Sequence, residues 1–336
     1  MQHSARTLAA QVNADKGFVV ADVTVLESVV DARYPMTAWE PLCEDERSLF
    51  QREGYVLIKN AIDTKSDLYE SVSAAADELY RREEAAGKLW QGGQLHLQAA
   101  IAQDPAFVEL LTHGPSFRWV WGLLGWNIFT HHNHLDINPP LPEKHKPRQV
   151  WAWHQDGWRQ NSDSEYRVED YEVAIPRPQF SIKVAFMLSD LTEPGQGGTL
   201  LLPKSHLRNT LPRPKDPQVF DHPKGAVHVT GSTGDVLIFD RRLWHSKSPN
   251  TSQITRRSLF IGFTHRWIRP LDEFVIDTES TWWENLSPLT RQLLGEGDSK
   301  ADFWGIHEVG GINDQIPLRH ELLKRNLINP EIPWLR

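Results

Sequence analysis

Residues 234–245 read GDVLIFDRRLWH, which is a glycine turn, a short apolar strand and a histidine shortly after it. Short apolar segments of the same kind recur from residue 127 onward, among them 181–189, 199–203 and 258–264. Turns rich in Gly and Pro separate these segments, and many short strands so spaced are typical of a β-barrel or a β-sandwich. The pattern therefore predicts that the middle of the chain is mainly β-structure.

The two flanks of this β region have a different pattern. Residues 1–126 contain helix-forming segments such as 66–88, where apolar side chains recur at helical spacing, and residues 268–336 combine helix and loop. We interpret 127–267 as the β core, 1–126 as a helical N-terminal flank packed on it, and 268–336 as a C-terminal helical and loop extension. The three parts are expected to form one domain.

Composition excludes several classes of function. The 336 residues include 36 Lys and Arg against 44 Asp and Glu, a formal net charge of −8, so the chain lacks the basic surface that holds nucleic-acid backbones. Its apolar runs are far shorter than the roughly 20 residues that a membrane helix needs. We therefore expect no nucleic-acid or membrane partner. The sequence predicts no particular oligomeric state.

Cysteine usage and the chain ends bear on location. A single cysteine, Cys43, permits no internal disulfide, which fits a reducing compartment. Neither end carries a recognisable secretory, peroxisomal or lipidation signal. These observations lead to the expectation of a cytoplasmic protein.

The densest group of reactive side chains lies in WAWHQD, residues 151–156. Alternate residues of a strand face the same side, so His154 and Asp156 project together. His245, at the end of the opening stretch, can complete a set of two imidazoles and one carboxylate. Such a set binds divalent iron and leaves other positions open for substrate and oxygen. Eleven residues later, Arg256 can form a bidentate pair with a carboxylate.

An alternative interpretation gives these residues no metal. A His-x-Asp pair alone is common by chance, and His154 and His245 can simply be hydrogen-bonded residues at the mouth of a barrel, with Arg256 as a surface charge. That interpretation does not account for their joint spacing. The combination of a His-x-Asp pair at a strand end, a distant histidine and a following arginine favours a metal centre.

This part of the chain resembles the phytanoyl-CoA dioxygenase family, over roughly residues 45–267 and most strongly over 150–265. The motifs that carry the resemblance are HQD at 154–156, SDLTE at 189–193, GGTLLLPKSH at 197–206, GDVLIFDRRLWH at 234–245 and SPNTS at 248–252. Members of this family are iron(II)- and 2-oxoglutarate-dependent oxygenases. The resemblance implies a double-stranded β-helix for the core, which is a jelly-roll, cupin-like fold with helical flanks.

The resemblance also implies roles for individual residues. His154, Asp156 and His245 would be the catalytic set that binds Fe(II). Arg256 would bind the distal carboxylate of 2-oxoglutarate, whereas its neighbour Arg257 is expected to face the other side of the strand.

Two further residues are expected to contact 2-oxoglutarate, namely His134 and Phe186. An upstream contact is expected near residues 94–96, where the sequence gives no clear match. On the strand that carries His134, the side chains of His132 and Asp136 share its face, so a separate zinc site is the alternative interpretation.

Four side chains near the proposed ligands are candidates for substrate contact. Trp158 lies two residues past Asp156, and Arg159, Lys183 and Arg242 can give the site a local positive charge for an acidic substrate. The alternative is that the tryptophan is core and that the three cations are solvated or paired with acidic side chains.

The implied function is that of a non-haem Fe(II)/2-oxoglutarate-dependent dioxygenase. It would use O2 to hydroxylate or otherwise oxidise an unactivated C–H bond of a small to medium-sized organic molecule, with release of succinate and CO2. Asp156 implies oxygenation rather than halogenation, because related halogenases generally lack this carboxylate. The alternative function is that of a non-oxidative metal-binding β-helix protein, either a small-molecule sensor or a zinc or manganese hydrolase or isomerase.

Overall fold

The structure is a computed structural model that describes residues 28–32, 36–142, 152–156, 178–208, 222–272, 278–296 and 316–330. The strands in these ranges are β1 (Val29–Asp31), β2 (Tyr55–Lys59), β3 (Leu95–Gln98), β4 (Ile128–Asn138), β5 (Ser181–Met187), β6 (Thr199–Leu201), β7 (Val227–His228), β8 (Val236–Asp240), β9 (His245–Lys247) and β10 (Arg256–His265). The α-helices are α1 (Glu44–Glu53), α2 (Asp67–Ala85), α3 (Gly114–Leu124), α4 (Thr281–Glu284), α5 (Pro288–Leu293) and α6 (Pro317–Lys324). No helix in the described ranges is long and apolar enough to span a membrane.

The strands form two sheets. The larger sheet has seven strands in the order β1-β2-β8-β5-β10-β4-β3, and the smaller has three in the order β7-β6-β9. All neighbouring strands are antiparallel except β1 and β2. At the centre of the larger sheet, Ser258 of β10 lies opposite both Asp136 of β4 and Met187 of β5. This register places β10 between β5 and β4, and all three strands carry residues of the candidate site described in the next subsection.

One face of the larger sheet packs against the smaller sheet. Ala185, Phe239 and Phe260 of the larger sheet share a buried cluster with Leu201 and Val227 of the smaller one. Side chains alternate along a strand, so the residues between these positions face the other way. The space between the two sheets is therefore the inside of the fold, and strand ends facing it can present polar groups to one site.

Helices cover the opposite face of the larger sheet. Val184, Ile238 and Ile261 pack there against helical residues such as Val72 and Phe117. In α2, the apolar side chains at helical spacing are buried at Val72, Ala75, Ala76 and Leu79 and partly buried at Leu68. The side chain of Ser66 accepts a hydrogen bond from the Tyr69 amide and caps this helix at its N-terminus. The sheet is therefore buried on both faces.

The segment before residue 127 contributes strands as well as helices. Strand β2 pairs with β8, and β3 pairs with β4, so both belong to the larger sheet. Residues Pro105–Thr112 form a 3-10 helix, and the Asp104 carboxylate accepts from the Ala106 amide at its start. The N-terminal part is thus integrated into the β core rather than only packed on it.

Candidate active site

Three side chains with metal-binding chemistry converge between the two sheets. His154 and His245 form a two-way backbone bridge, with N···O distances of 3.0 and 2.9 Å, and their ring centroids are 4.3 Å apart. The Asp156 Oδ1 atom lies 3.7 Å from Nε2 of each histidine. Ligands about 2 Å from a common ion lie roughly 3 Å from one another, so one ion fits among these atoms with slight contraction.

Backbone carbonyls orient both imidazoles. His154 Nδ1 lies 2.7 Å from the Ala152 carbonyl oxygen, and His245 Nδ1 lies 2.8 Å from that of Leu243. A carbonyl only accepts, so each Nδ1 carries the proton, and Nε2 turns its lone pair toward Asp156. Burial lowers the pKa of His245 to about 3, which keeps it in the neutral form that binds metals.

The outer oxygen of Asp156 is held by two cations. Its Oδ2 lies 2.6 Å from the Lys183 ammonium and accepts from Arg241 Nε at 3.0 Å. Burial opposes ionisation of this carboxyl group, but Lys183 and Arg241 hold its pKa well below the usual range. The carboxylate therefore offers its other oxygen, Oδ1, to the centre.

Arg241 is in turn fixed by a buried histidine. Its Nη1 donates to His131 Nε2, and His131 Nδ1 lies 3.2 Å from the Gly262 carbonyl oxygen. Burial lowers the pKa of His131 to about 2, so it is neutral and can accept from the guanidinium. A chain of hydrogen bonds thus runs from the backbone of β10 to Asp156.

Arg256 lies fully buried at the start of β10. Its Nη1 donates to Asp136 Oδ2 at 3.2 Å, and the guanidinium is 5.4 Å from the ring centroid of Phe260. The Nε atom is buried without a hydrogen-bond partner among the described residues. Gly197 has φ +78°, and a Cβ there would approach Arg256 Cδ to 3.3 Å. Glycine therefore suits position 197 for two reasons: the backbone there is left-handed, and a side chain would crowd Arg256.

A second group of ligand-type side chains surrounds Asp136. His96 Nδ1 lies 2.7 Å from Asp136 Oδ1, and the His134 ring is 4.7 Å from that of His96. The zinc site considered from the sequence used His132 instead, but that side chain binds Asp272 at 2.6 Å. Two cations, Arg256 and Lys247, lie 3.2 and 3.7 Å from Asp136 Oδ2. Their charge disfavours a metal ion and favours an anion at this position.

Several residues chosen from the sequence occupy other positions than expected. Phe186 belongs to the helix-covered core, with its ring 5.9 Å from that of His113, so it does not face the pocket. Lys183 is buried against Asp156 rather than standing at a mouth for substrate. Arg242 folds onto Asp240 with an N···O distance of 2.6 Å.

The other sequence-based assignments fall into two groups. His134 lies on the inner face, stacked on Phe260 with 4.7 Å between ring centroids, and Phe260 also contacts the Arg256 guanidinium. Arg257 faces the helices, where it binds Asp77 and the Leu188 carbonyl oxygen. Its side chain therefore lies on the opposite side of the strand from Arg256, as predicted. Trp158 and Arg159 lie outside the described residues.

Three residues around the site were not identified from the sequence: His131, Arg241 and Lys247. A fourth, His96, lies within residues 94–96, where an upstream contact was expected without a clear match. Lys247 had a usable signal, because it is two residues after His245 on a strand and so shares its face. Arg241 and His131 carry no such local signal, since their contacts join residues 110 positions apart.

The chain is similar to proteins of one family and one fold. A model of the phytanoyl-CoA dioxygenase (PhyH) family matches residues 50–258. Dioxygenase af480 of Aspergillus fumigatus is 27% identical over 129 residues, which are 37% of this chain and 40% of that protein. The match thus spans about two fifths of the length of that relative.

Two solved structures share the fold at low sequence identity. HygX from Streptomyces hygroscopicus, with nickel and 2-oxoglutarate bound, has a TM-score of 0.54 and 16% identity, covering 71% of this chain and 93% of its own. EctD from S. alaskensis, with 2-oxoglutarate and 5-hydroxyectoine, has a TM-score of 0.53 and 21% identity, covering 72% and 83%. Together with the two facing sheets, these similarities confirm the predicted jelly-roll core.

Proposed function

Because the chain belongs to the phytanoyl-CoA dioxygenase (PhyH) family, we propose that it is an Fe(II)- and 2-oxoglutarate-dependent dioxygenase. The observation that carries the proposal is the convergence of His154, Asp156 and His245, whose ligand atoms lie within 4.8 Å of one another. Two imidazoles and one carboxylate on one side of a metal leave further positions open, as this chemistry requires. With 2-oxoglutarate bound, the iron would activate O2 to oxidise a substrate C–H bond, and succinate and CO2 would be released.

The role of the protein side chains in this reaction would be to hold the iron and to fix the orientation of its ligands. His154 and His245 would hold the iron through Nε2, since each Nδ1 is committed to a backbone carbonyl. Asp156 would bind through Oδ1 alone, because Lys183 and Arg241 occupy Oδ2. A carboxylate that binds with one oxygen keeps one more coordination position open for cosubstrate or O2. The presence of Asp156 also favours oxygenation over halogenation, because a halide would need the coordination position that this carboxylate fills.

The surroundings of Arg256 support the proposal of 2-oxoglutarate as the cosubstrate. The buried Nε of Arg256 is a donor without an acceptor among the described residues, and an unpaired buried donor is costly. A carboxylate at this point would accept from it. His134, stacked on Phe260 beside Arg256, would form a wall of the same pocket. The non-oxidative alternative explains the metal ligands but gives no reason for this buried, incompletely paired guanidinium.

The substrate is proposed to be a small to medium-sized organic molecule, without a nucleic-acid or membrane partner. The net charge of −8 supports the absence of a nucleic-acid partner. A cytoplasmic location is proposed on the single cysteine, which fits a reducing compartment. A single domain is proposed on the pairing of β2 and β3 with strands of the β core.

The test is succinate formation from 2-oxoglutarate by anaerobically iron-loaded protein on exposure to O2. His154→Ala, Asp156→Ala and His245→Ala should each abolish it, while Lys65→Ala, an exposed position, should leave it unchanged. Protein loaded with zinc should be inactive. Full succinate formation by all three ligand variants would refute the assignment of the site.

A further inference from the structure

The pocket proposed for the distal carboxylate of 2-oxoglutarate already contains a carboxylate of the protein. Asp136 is buried, and its Oδ2 accepts from Arg256 Nη1 at 3.2 Å. Its Oδ1 lies 2.7 Å from His96 Nδ1. The negative charge of Asp136 therefore balances the positive charge of Arg256 before any ligand enters.

This balance creates a problem for an incoming anion. With Arg256 at +1 and Asp136 at −1, a second carboxylate would leave the pocket at −1. Burial of an uncompensated charge is unfavourable, and like charges at short range repel. Burial also holds the pKa of His134 well below its usual value, so this neighbour contributes no positive charge. A further cation is needed if the pocket is to hold a dicarboxylate.

Lys247 is placed to supply that cation. It lies on β9 two residues after His245, so both side chains are on the face toward the site. Its Nζ is 3.7 Å from Asp136 Oδ2 and donates to Asn138 Oδ1. Its Nζ thus lies near the same Asp136 oxygen that the Arg256 guanidinium contacts, while 42% of the side chain remains exposed. The proposed iron centre makes no use of this residue.

We propose that Lys247 is the second cationic contact for the distal carboxylate of 2-oxoglutarate, and that Asp136 and Lys247 form a charge-matched pair that selects a dicarboxylate cosubstrate. This inference rests on the proposed function. The charges of Arg256, Lys247 and Asp136 sum to +1, and a bound carboxylate brings the sum to zero. Without Lys247 the same complex would be negative, and without Asp136 the empty pocket would hold two facing cations.

The test is calorimetric titration of iron-loaded protein with 2-oxoglutarate under anaerobic conditions, which measures binding without turnover. Lys247→Met should raise the Kd roughly tenfold or more, since it removes a close opposite charge. Asp136→Asn should bind at least as tightly as the wild type. The double variant should return to within about threefold of the wild type, because the sum of charges is restored.

Control variants separate charge from structure. Lys247→Arg keeps the charge and should bind nearly as well as the wild type. Lys88→Met removes another lysine paired with a carboxylate, Glu83 at 3.5 Å, outside the pocket, and should leave the Kd unchanged. A second ligand, 2-oxopentanoate, has the same chain length without the distal carboxylate. Its affinity should not fall in Lys247→Met.

Two results would overturn the inference. One is a Lys247→Met variant that binds 2-oxoglutarate as tightly as the wild type. The other is a large loss of affinity for 2-oxoglutarate in His96→Gln with no loss of affinity in Lys247→Met. That result would assign the second positive charge to His96. These results differ from failure of the proposed function itself, in which the iron-loaded wild type would not bind 2-oxoglutarate at all.

Discussion

The Lys183 ammonium lies 2.6 Å from Oδ2 of Asp156, on the side of the carboxylate opposite the two histidines. Arg241 contacts the same oxygen at 3.0 Å. In the metal-free protein these cations compensate the buried carboxylate. A metal ion at the centre would add positive charge on the other side of it. Lys183 and the metal therefore act on the same negative charge.

Replacing Lys183 by Met should destabilise the metal-free protein by about 3 kcal/mol, because it removes one partner of a buried ion pair. An added divalent ion should recover part of this loss, since it replaces the missing positive charge. Thermal unfolding with and without Ni(II) measures both effects. The stabilisation by Ni(II) should be larger in the variant than in the wild type.

The exposed Lys65→Met variant serves as the control and should change stability by less than about 0.5 kcal/mol. Equal stabilisation by Ni(II) in the wild type and Lys183→Met would show that Lys183 and the metal do not share a carboxylate.

Two phenylalanines on opposite faces of the larger sheet should respond differently to the same substitution. Phe260 contacts both the Arg256 guanidinium, whose central carbon is 5.4 Å from its ring centroid, and the stacked His134. Phe186 lies instead in the helix-covered core. Phe260→Leu should raise the Kd for 2-oxoglutarate several-fold. Phe186→Leu should cost about 1 kcal/mol of stability and leave the Kd unchanged. A higher Kd in Phe186→Leu alone would restore the sequence-based assignment of Phe186.

Acid should destabilise the protein partly through His113. Burial lowers the pKa of this histidine to about 4, against an ordinary value of 6.5. The unfolded state therefore binds a proton that the folded state does not between these two pH values, and stability falls as the pH falls through this window. At pH 4.5 the loss from this residue is about 2 to 3 kcal/mol.

Urea unfolding at pH 7 and pH 4.5 tests the role of His113 by comparison with His113→Gln. The variant should lose less stability between these two pH values than the wild type, by about 2 kcal/mol. The same loss in both proteins would show that His113 does not titrate as its burial requires.

The metal ligands could be predicted from the sequence because their signals are local. His154 and Asp156 are two residues apart, and the strand–turn–histidine pattern of residues 234–245 places His245 at the start of β9. The β core was also evident, since short apolar segments and Gly/Pro turns have a distinct pattern. Strand β2 likewise corresponds to a short apolar segment, residues 54–58. Strand β3 has no such signal and joins the core from a region interpreted mainly as helical, because it pairs with β4.

The face of β5 on which the Phe186 side chain lies could not be predicted from the sequence. Strand β5 reads SIKVAFM, and helices cover one of its faces while the smaller sheet covers the other. Its two faces therefore show little contrast in hydrophobicity, and only the position of Lys183 against Asp156 fixes which side is inward.

The contacts of the distal pocket are not encoded by any local pattern. Asp136 meets Arg256 across 120 residues, and His96 meets Asp136 across 40. Such contacts follow from the register of β4 with β3 and β10, which only the folded sheet defines. The sequence therefore predicts the metal centre better than the pocket beside it.

The most direct measurement of the central claim is an anaerobic titration of metal-free protein with Fe(II) and then 2-oxoglutarate, followed by visible absorption. Chelation of iron by the 2-keto acid at the His154, Asp156 and His245 site should produce a weak charge-transfer band. The band should be lost in Arg256→Ala at matched cosubstrate concentration, while Lys65→Ala should retain it. Folded, iron-bound wild-type protein that gives no band would contradict the account, as would a band of full strength in Arg256→Ala.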